Sequence, residues 1–191
     1  MKKILIGVFI AAFCCAGTAR AQDFAMKTNL LYWATTTPNI GMEIGLGRRT
    51  SLDISGGYNP WTLDKEANRK LKHWLAMPEF RYWICERFNG HFFGIHGIYS
   101  FYNVSAMDLP FMGADFKDHR YQGWAAGAGL SYGYSWILGK RWNLEATFGL
   151  GYIYTNYDKY ECVTCGSFKG ENDKHYLGPT KAGISLIYII K

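Results

Sequence analysis

The chain has 191 residues, 17% of them aromatic, with 22 glycines, 5 prolines and a formal charge of +6 at pH 7. That length suits one domain, and the positive excess is scattered without a basic block, which argues against nucleic acid as a partner. Past the first residues no apolar run approaches the ~20 residues of a spanning helix, so a mature chain that enters a bilayer must do so as a closed barrel.

The first residues read as an export signal. Lys2 and Lys3 precede an apolar stretch over 4–16, and Ala19-Arg20-Ala21 supplies an A-x-A cleavage site. Residues 1–21 are therefore expected to be removed, with 22–191 forming the mature domain and Gln22 its first residue. Cys14 and Cys15 leave with the signal, and Phe13 stands where a lipoprotein signal has a small residue. Removing the signal's three bases leaves 18 basic against 15 acidic residues, a mild excess.

In chain order, eight strands are expected at 24–34, 39–46, 50–59, 74–86, 91–104, 121–138, 141–157 and 176–190. Tight turns fall at 47–49, 87–90 and 139–140, and long connections at 60–73, 105–120 and 158–175; only 35–38 is short on the long side. Short turns at one end and long loops at the other are the arrangement of outer-membrane barrels, with both termini at the short, periplasmic end. Within 60–73, Glu66 and Lys70 stand four apart and attract while Lys65 and Arg69 repel, and a short helix over the rim is expected there.

Period two is clearest in the sixth and seventh strands. Trp124, Ala126, Ala128, Leu130, Tyr132, Tyr134, Trp136 and Leu138 share one face, opposite Ala125, Gly127, Gly129, Ser131, Gly133 and Ser135. Trp142, Leu144, Ala146, Phe148, Leu150, Tyr152 and Tyr154 repeat the pattern against Asn143, Glu145, Thr147, Gly149 and Gly151. A soluble, lipocalin-like barrel would turn the apolar face inward and carry Lys and Glu outside. Here the alternate face is small and polar, which suits a cramped lumen, and the bulky face suits lipid. Aromatic residues gather toward both ends: Tyr58, Trp61, Trp74, Tyr99, Tyr121, Trp124, Tyr154 and Tyr176 toward the long loops, and Tyr82, Trp136, Trp142 and Tyr188 toward the short turns. The fold expected is all-β: an eight-stranded antiparallel up-and-down transmembrane β-barrel.

This alternation over 122–157, the short turns and the closing strand Ala182-Gly183-Ile184-Ser185-Leu186-Ile187-Tyr188-Ile189-Ile190 resemble small outer-membrane barrels such as OmpX and the OmpA transmembrane domain. Met26-Lys27-Thr28-Asn29-Leu30-Leu31-Tyr32, Pro38-Asn39-Ile40-Gly41-Met42-Glu43 and Pro78-Glu79-Phe80-Arg81-Tyr82-Trp83 look like an uncharacterised family of barrels from Bacteroidetes, a domain of unknown function. The likeness covers nearly the whole mature chain and implies fold and location without an activity. One departure is the C-terminus. Many such barrels end in an aromatic residue, whereas this chain ends Tyr188-Ile189-Ile190-Lys191.

Lys27, Glu43, Asp53, Glu79, Arg81 and Glu145 fall on the small-residue face, as does His96. Buried charges need partners, so these six are expected to form a structural network filling the lumen, with Arg81 bridging at least two of the four carboxylates. An ion or proton path is the minor reading, because eight strands leave little room for water. Cys162 and Cys165 have a spacing that fits a redox dithiol, half a zinc site or a local disulfide. Zinc needs four ligands, and Cys85 and His175 do not complete a set; an oxidising compartment favours the disulfide, with free thiols next. Ser105, Asp118, His119, Asp173 and His175 are the polar loop residues a lipid A-modifying enzyme would draw on, but their spacing matches no motif.

The expected function is therefore a non-enzymatic outer-membrane barrel that presents extracellular loops for surface interaction or envelope structure. A lipid A-modifying enzyme or a narrow channel are the alternatives. No cofactor or metal is expected. The partners expected are outer-membrane lipid and lipopolysaccharide, with a surface protein or polysaccharide beyond them; the sequence leaves the oligomeric state open and favours a monomer. The exported protein should have the intact mass of residues 22–191; a mass retaining Ala21 or Cys15 would refute the signal assignment.

Overall fold

Alternating small and bulky residues lock each strand's faces, because a one-residue slip would turn every buried side chain outward. In the computed structural model, which describes residues 24–64, 69–105, 120–160 and 168–190, this produces one antiparallel sheet. Its elements are β1 Phe24–Asn29, α1 Leu30–Ala34, β2 Asn39–Gly45, β3 Thr50–Asn59, β4 Thr62–Asp64, β5 Arg69–Trp83, β6 Gly90–Ser105, β7 Arg120–Ile137, β8 Trp142–Tyr160 and β9 Phe168–Ile190. The spatial order is β3-β2-β1-β9-β8-β7-β6-β5, and β3 pairs with β5 to close the ring; β4 adds a short strand beside β5. The result is an eight-stranded up-and-down barrel. Phe24 pairs with Ile190, so the first and last strands meet at the short-turn end.

The face assignment follows the expected parity. Leu130 is 66% exposed, Phe148 53% and Leu150 54%, while Ser131, Ser135, Glu145 and Thr147 are buried between them in sequence. The wall heights are uneven: β1 and β2 have 6 and 7 residues, against 18, 19 and 23 for β7, β8 and β9. Pairing of β9 with β1 stops at Asn29–Ser185, while pairing with β8 continues to Tyr160–Phe168. One side of the barrel thus stands well above the other at the loop end.

Several boundaries differ from the sequence expectation. The first strand ends at Asn29, not at residue 34, because Asn29 caps α1: its Oδ1 accepts from the Leu31 backbone N–H at 3.0 Å. Asn39 replaces the lost ladder partner with its side chain, accepting from Asn29 N–H at 2.6 Å and donating to Asn29 C=O at 2.9 Å. Such side-chain bonds compete directly with strand pairing. The long connection at 60–73 contains β4 and the start of β5, with Thr62 paired to Lys70 and Asp64 to Arg69. Arg69 and Lys70 are therefore in a strand rather than in the expected rim helix; residues 65–68 lie outside the described residues. The connection at 158–175 shortens in the same way, since the β8–β9 hairpin keeps pairing above the barrel wall. Strand β5 ends at Trp83, not 86, because the chain bends at Ile84 and Cys85 and Glu86 then bridges Asn89 across the turn.

Tyr121 also departs from its expected place among the outer aromatics. It shares parity with Gly123, and it is buried, with its ring 5.4 Å from that of Tyr157. Tyr176 bends back on its own strand and donates to Pro179 C=O at 3.3 Å.

The short-turn end of the lumen is stopped by apolar side chains. Ala25, Trp83, Phe88, Phe92 and Ile187 form one buried cluster. Phe88 comes from the β5–β6 turn, where φ of 63° is uncommon for a residue with a side chain. Its carbonyl accepts from Asn143 Nδ2 at 2.6 Å and from Ser135 Oγ at 3.3 Å, which ties the turn to the inner wall.

Candidate functional site

Above the aromatic stopper the lumen is filled by charge. Register explains why the charges meet. Glu43 pairs with Asp53, Asp53 with Glu79 and Glu79 with His96, so four ionisable residues form one inward row across β2, β3, β5 and β6. Three carboxylates side by side would repel. Arg81, one inward position further along β5, lies in the next row with Ser51, Gly94, Ser131, Gly149 and Lys181. The small residues of this row leave space for its guanidinium. A Cβ on Gly94 would stand 2.5 Å from Ser131 Oγ and 2.7 Å from Glu79 Oε1.

Arg81 is 1% exposed and engages four carboxylates at once. Its Nε donates to Glu79 Oε2 at 2.5 Å, Nη1 to Glu43 Oε2 at 2.9 Å, and Nη2 to Asp53 Oδ2 at 3.2 Å. Glu145 reaches across from β8 and takes both terminal nitrogens, at 2.8 and 3.1 Å. This is the two-pronged geometry that a planar guanidinium offers and an ammonium does not. The same group lies 4.4 Å from the centre of the Phe92 ring, joining the charge layer to the apolar stopper below.

Lys27 serves the same carboxylates from β1, at 2.8 Å from Asp53, 3.1 Å from Glu43 and 3.7 Å from Glu145. All six residues of the expected lumen network are thus brought together. Lys181 is a seventh, 2.9 Å from Glu79 Oε2 and 3.9 Å from Asp53. The layer then holds three cations against four carboxylates. Hydroxyls supply further donors: Ser51 to Glu43 at 2.5 Å, Thr147 to Glu145 at 3.0 Å and Ser131 to Glu79. Asp53 Oδ1 is buried and makes no hydrogen bond among the described residues.

Lys181 lies outside the six expected residues, although it shares parity with Gly183, Ser185 and Ile187, a signal in the sequence that points it inward. Thr180 was not readable. A register shift places Lys181 opposite Gly149 and Pro179 opposite Leu150, with Thr180 as the extra residue. Such a bulge turns consecutive side chains to one face, and Thr180 Oγ1 lies 2.9 Å from His96 Nε2 inside the lumen. Above the charge layer a cavity of about 40 Å³ is bordered by Lys27, Asp53, Tyr32, Asn39 and Ser55. Its size admits a few waters. Tyr32 reaches this cavity from α1.

The other candidate residues do not converge. Ser105 is buried at the end of β6, while Asp173 and His175 are exposed on β9, three strands away, with 3.5 Å between Asp173 Oδ2 and His175 Nε2. Asp118, His119, Cys162 and Cys165 lie outside the described residues. Cys85 is an exposed free thiol. Among the described residues no group of three or more His, Cys, Asp or Glu is arranged to hold a metal ion, since cations already occupy the space between the lumen carboxylates.

The fold and its filled lumen define a small, closed up-and-down β-barrel. Residues 7–190 match the family described as a protein of unknown function (DUF3575), and the chain belongs to that family. No curated protein and no solved structure matches it.

Removing Arg81 would leave several buried carboxylates without their shared partner. Arg81→Met should cost about 3–5 kcal/mol of stability, the range for breaking a buried ion pair. Removing Arg81 and Glu145 together should cost less than the two single changes added. A double-mutant cycle on detergent-folded protein measures this, and simple additivity would refute the coupled network.

Proposed function

We propose that the chain is a transmembrane barrel of the bacterial outer membrane, without catalytic activity, which presents its loop end for surface interaction or envelope structure. The observation that carries this reading is the outward face. Near the loop end, Trp74, Tyr99, Phe101, Trp124 and Tyr154 form a continuous ring cluster with centroid separations of 5.4–6.4 Å. Near the turns, Tyr134 contacts Trp136 at 4.8 Å and Trp142 contacts Tyr188 at 4.9 Å. Between these belts the outward residues of β7 and β8 include Ala126, Ala128, Leu130, Ala146, Phe148 and Leu150, with no charge among them.

The spacing fits a bilayer. Trp124 and Trp136 are twelve residues apart on β7, which is about 40 Å of strand and roughly 28 Å along an axis tilted by about 45°. The apolar band of outer-membrane barrels is about 25 Å tall. In water such a face would be a large exposed apolar surface with no partner. The export signal read from residues 1–21 supports the same compartment, and the sequence likeness supports a source among Bacteroidetes.

The filled lumen weighs against a channel, because among the described residues the aromatic stopper and the charge layer stand in series across it, below a cavity of about 40 Å³ bordered by Lys27 and Tyr32. The separation of Ser105 from Asp173 and His175 weighs against a hydrolytic or transferase site built from them. The protein should fractionate with outer membranes and migrate differently on a gel before and after boiling. Leu130→Arg should impair insertion, since Arg near the bilayer midplane on a barrel's lipid face costs about 2–4 kcal/mol. Recovery as a soluble periplasmic protein without detergent would refute the reading.

A further inference from the structure

Beyond Ser185, toward the loop end, β9 has β8 on one side and no strand on the other. The backbone groups on that open edge can be followed from the register. Ile189 N–H donates to Arg141 C=O, so the odd-numbered residues of β9 up to Lys181 turn their backbone groups to β8 and the even-numbered ones turn away. The bulge at Thr180 exchanges the two sets. Past it Gly178, Tyr176, Lys174 and Asn172 face β8, while Pro179, Leu177, His175 and Asp173 face the open edge.

The lower part of the edge is blunted. Ile184 N–H donates to Asn29 Oδ1 at 3.3 Å, and Ala182 C=O accepts from Asn29 Nδ2 at 3.2 Å. Pro179 has no N–H, and its carbonyl accepts from the Tyr176 hydroxyl at 3.3 Å. A strand edge in hydrocarbon needs such partners, because lipid offers none. Past Pro179 they stop. The backbone groups that Leu177, His175 and Asp173 turn to the edge have no partner among the described residues. Their side chains are exposed and do not cover it. His175 is held on the outward face, with Nδ1 bonded to the Tyr152 hydroxyl and Nε2 at 3.5 Å from Asp173 Oδ2, and Leu177 is 83% exposed. His175 also stands opposite Tyr154 of the loop-end belt, so this stretch runs out of the apolar band. We propose that the edge from Leu177 to Asp173 takes up an extended segment of a partner polypeptide as an added strand, on the outer side of the membrane.

The chemistry of the edge selects that class. Its donors and acceptors recur every second residue, about 7 Å apart. Another extended backbone matches that spacing, and a lipid headgroup does not. Main-chain bonds would supply affinity, and the partner's alternate side chains specificity. An apolar side chain of the partner would cover Leu177. Natural sheets ordinarily blunt an edge that water reaches; on β9 the proline and the side-chain partners are confined to the stretch below Leu177.

This inference rests on the membrane reading, and the experiment separates the two. The full chain is inserted into phosphatidylcholine nanodiscs, and amide hydrogen exchange is followed by NMR. Fast exchange at residues 173, 175 and 177 is expected, with protection at 172, 174 and 176. Protection of both sets would show that the chain covers its own edge, and would overturn the site alone. The inserted protein is then titrated with a fluorescent synthetic heptapeptide of alternating valine and threonine. Saturable binding is expected, and the same peptide N-methylated along its pairing edge should not bind. His175→Pro removes an edge donor without touching a bond to β8. It should weaken binding at least about tenfold, the loss of roughly two hydrogen bonds, and Asp173→Pro should act alike. Equal binding of the methylated peptide, or undiminished binding by both folded variants, would overturn the site by showing adhesion without strand pairing. Absence of saturable binding would overturn it too. A chain that never enters a bilayer would overturn the membrane reading and the site with it.

Discussion

Burying a guanidinium is tolerable only where carboxylates surround it in good geometry, and Arg81 meets that condition by drawing on the whole circumference of the barrel. Its partners come from β2, β3, β5 and β8, while Lys27 and Lys181 bring cations from β1 and β9. Ser131 contributes from β7 and Gly94 gives way on β6. All eight wall strands are therefore committed to one layer. Shifting β1, β2, β3, β5, β8 or β9 by one residue would turn a charge to the outside and leave another unpaired inside, and shifting β6 or β7 would put a bulky neighbour where Gly94 or Ser131 makes room, so this layer fixes register more firmly than backbone pairing alone.

The outer face follows from that commitment. With every charge of the central strands turned inward, the alternate positions are free to be apolar from belt to belt. The interior is correspondingly layered: an aromatic stopper at Trp83, Phe88 and Phe92, then the charge layer, then His96 with Thr180. A barrel filled in this way holds its shape from within, and its least regular part is the loop-end rim carried on the tall β6–β9 wall.

Much of this was legible because strand chemistry repeats every two residues. The positions of Lys27, Glu43, Asp53, Glu79, Arg81 and Glu145 needed only correct parity counted from neighbouring Gly, Ser and aromatic residues. The same count also turns Lys181 and Tyr121 inward, whereas other positions are set by irregularities that break it. Thr180 faces inward only because of the bulge beside Lys181, and the end of β1 depends on two asparagine side chains, Asn29 and Asn39, that replace ladder bonds. Phe88 looked like part of a surface turn, and only its left-handed backbone directs the ring into the lumen. The loop-end hairpins of β5, β8 and β9 read as polar loops, because a sheet standing clear of the barrel has no apolar face to betray it.

The central claim is that alternate residues of the wall face lipid while their neighbours face a sealed charge layer. Its most direct test is a scan of single spin labels along residues 126–135 of reconstituted protein, reading collision with oxygen dissolved in the bilayer. Accessibility should rise at 126, 128, 130, 132 and 134 and fall at the positions between, with labels near 131 immobilised by crowding. Uniform accessibility, or maxima at the odd positions, would contradict the account.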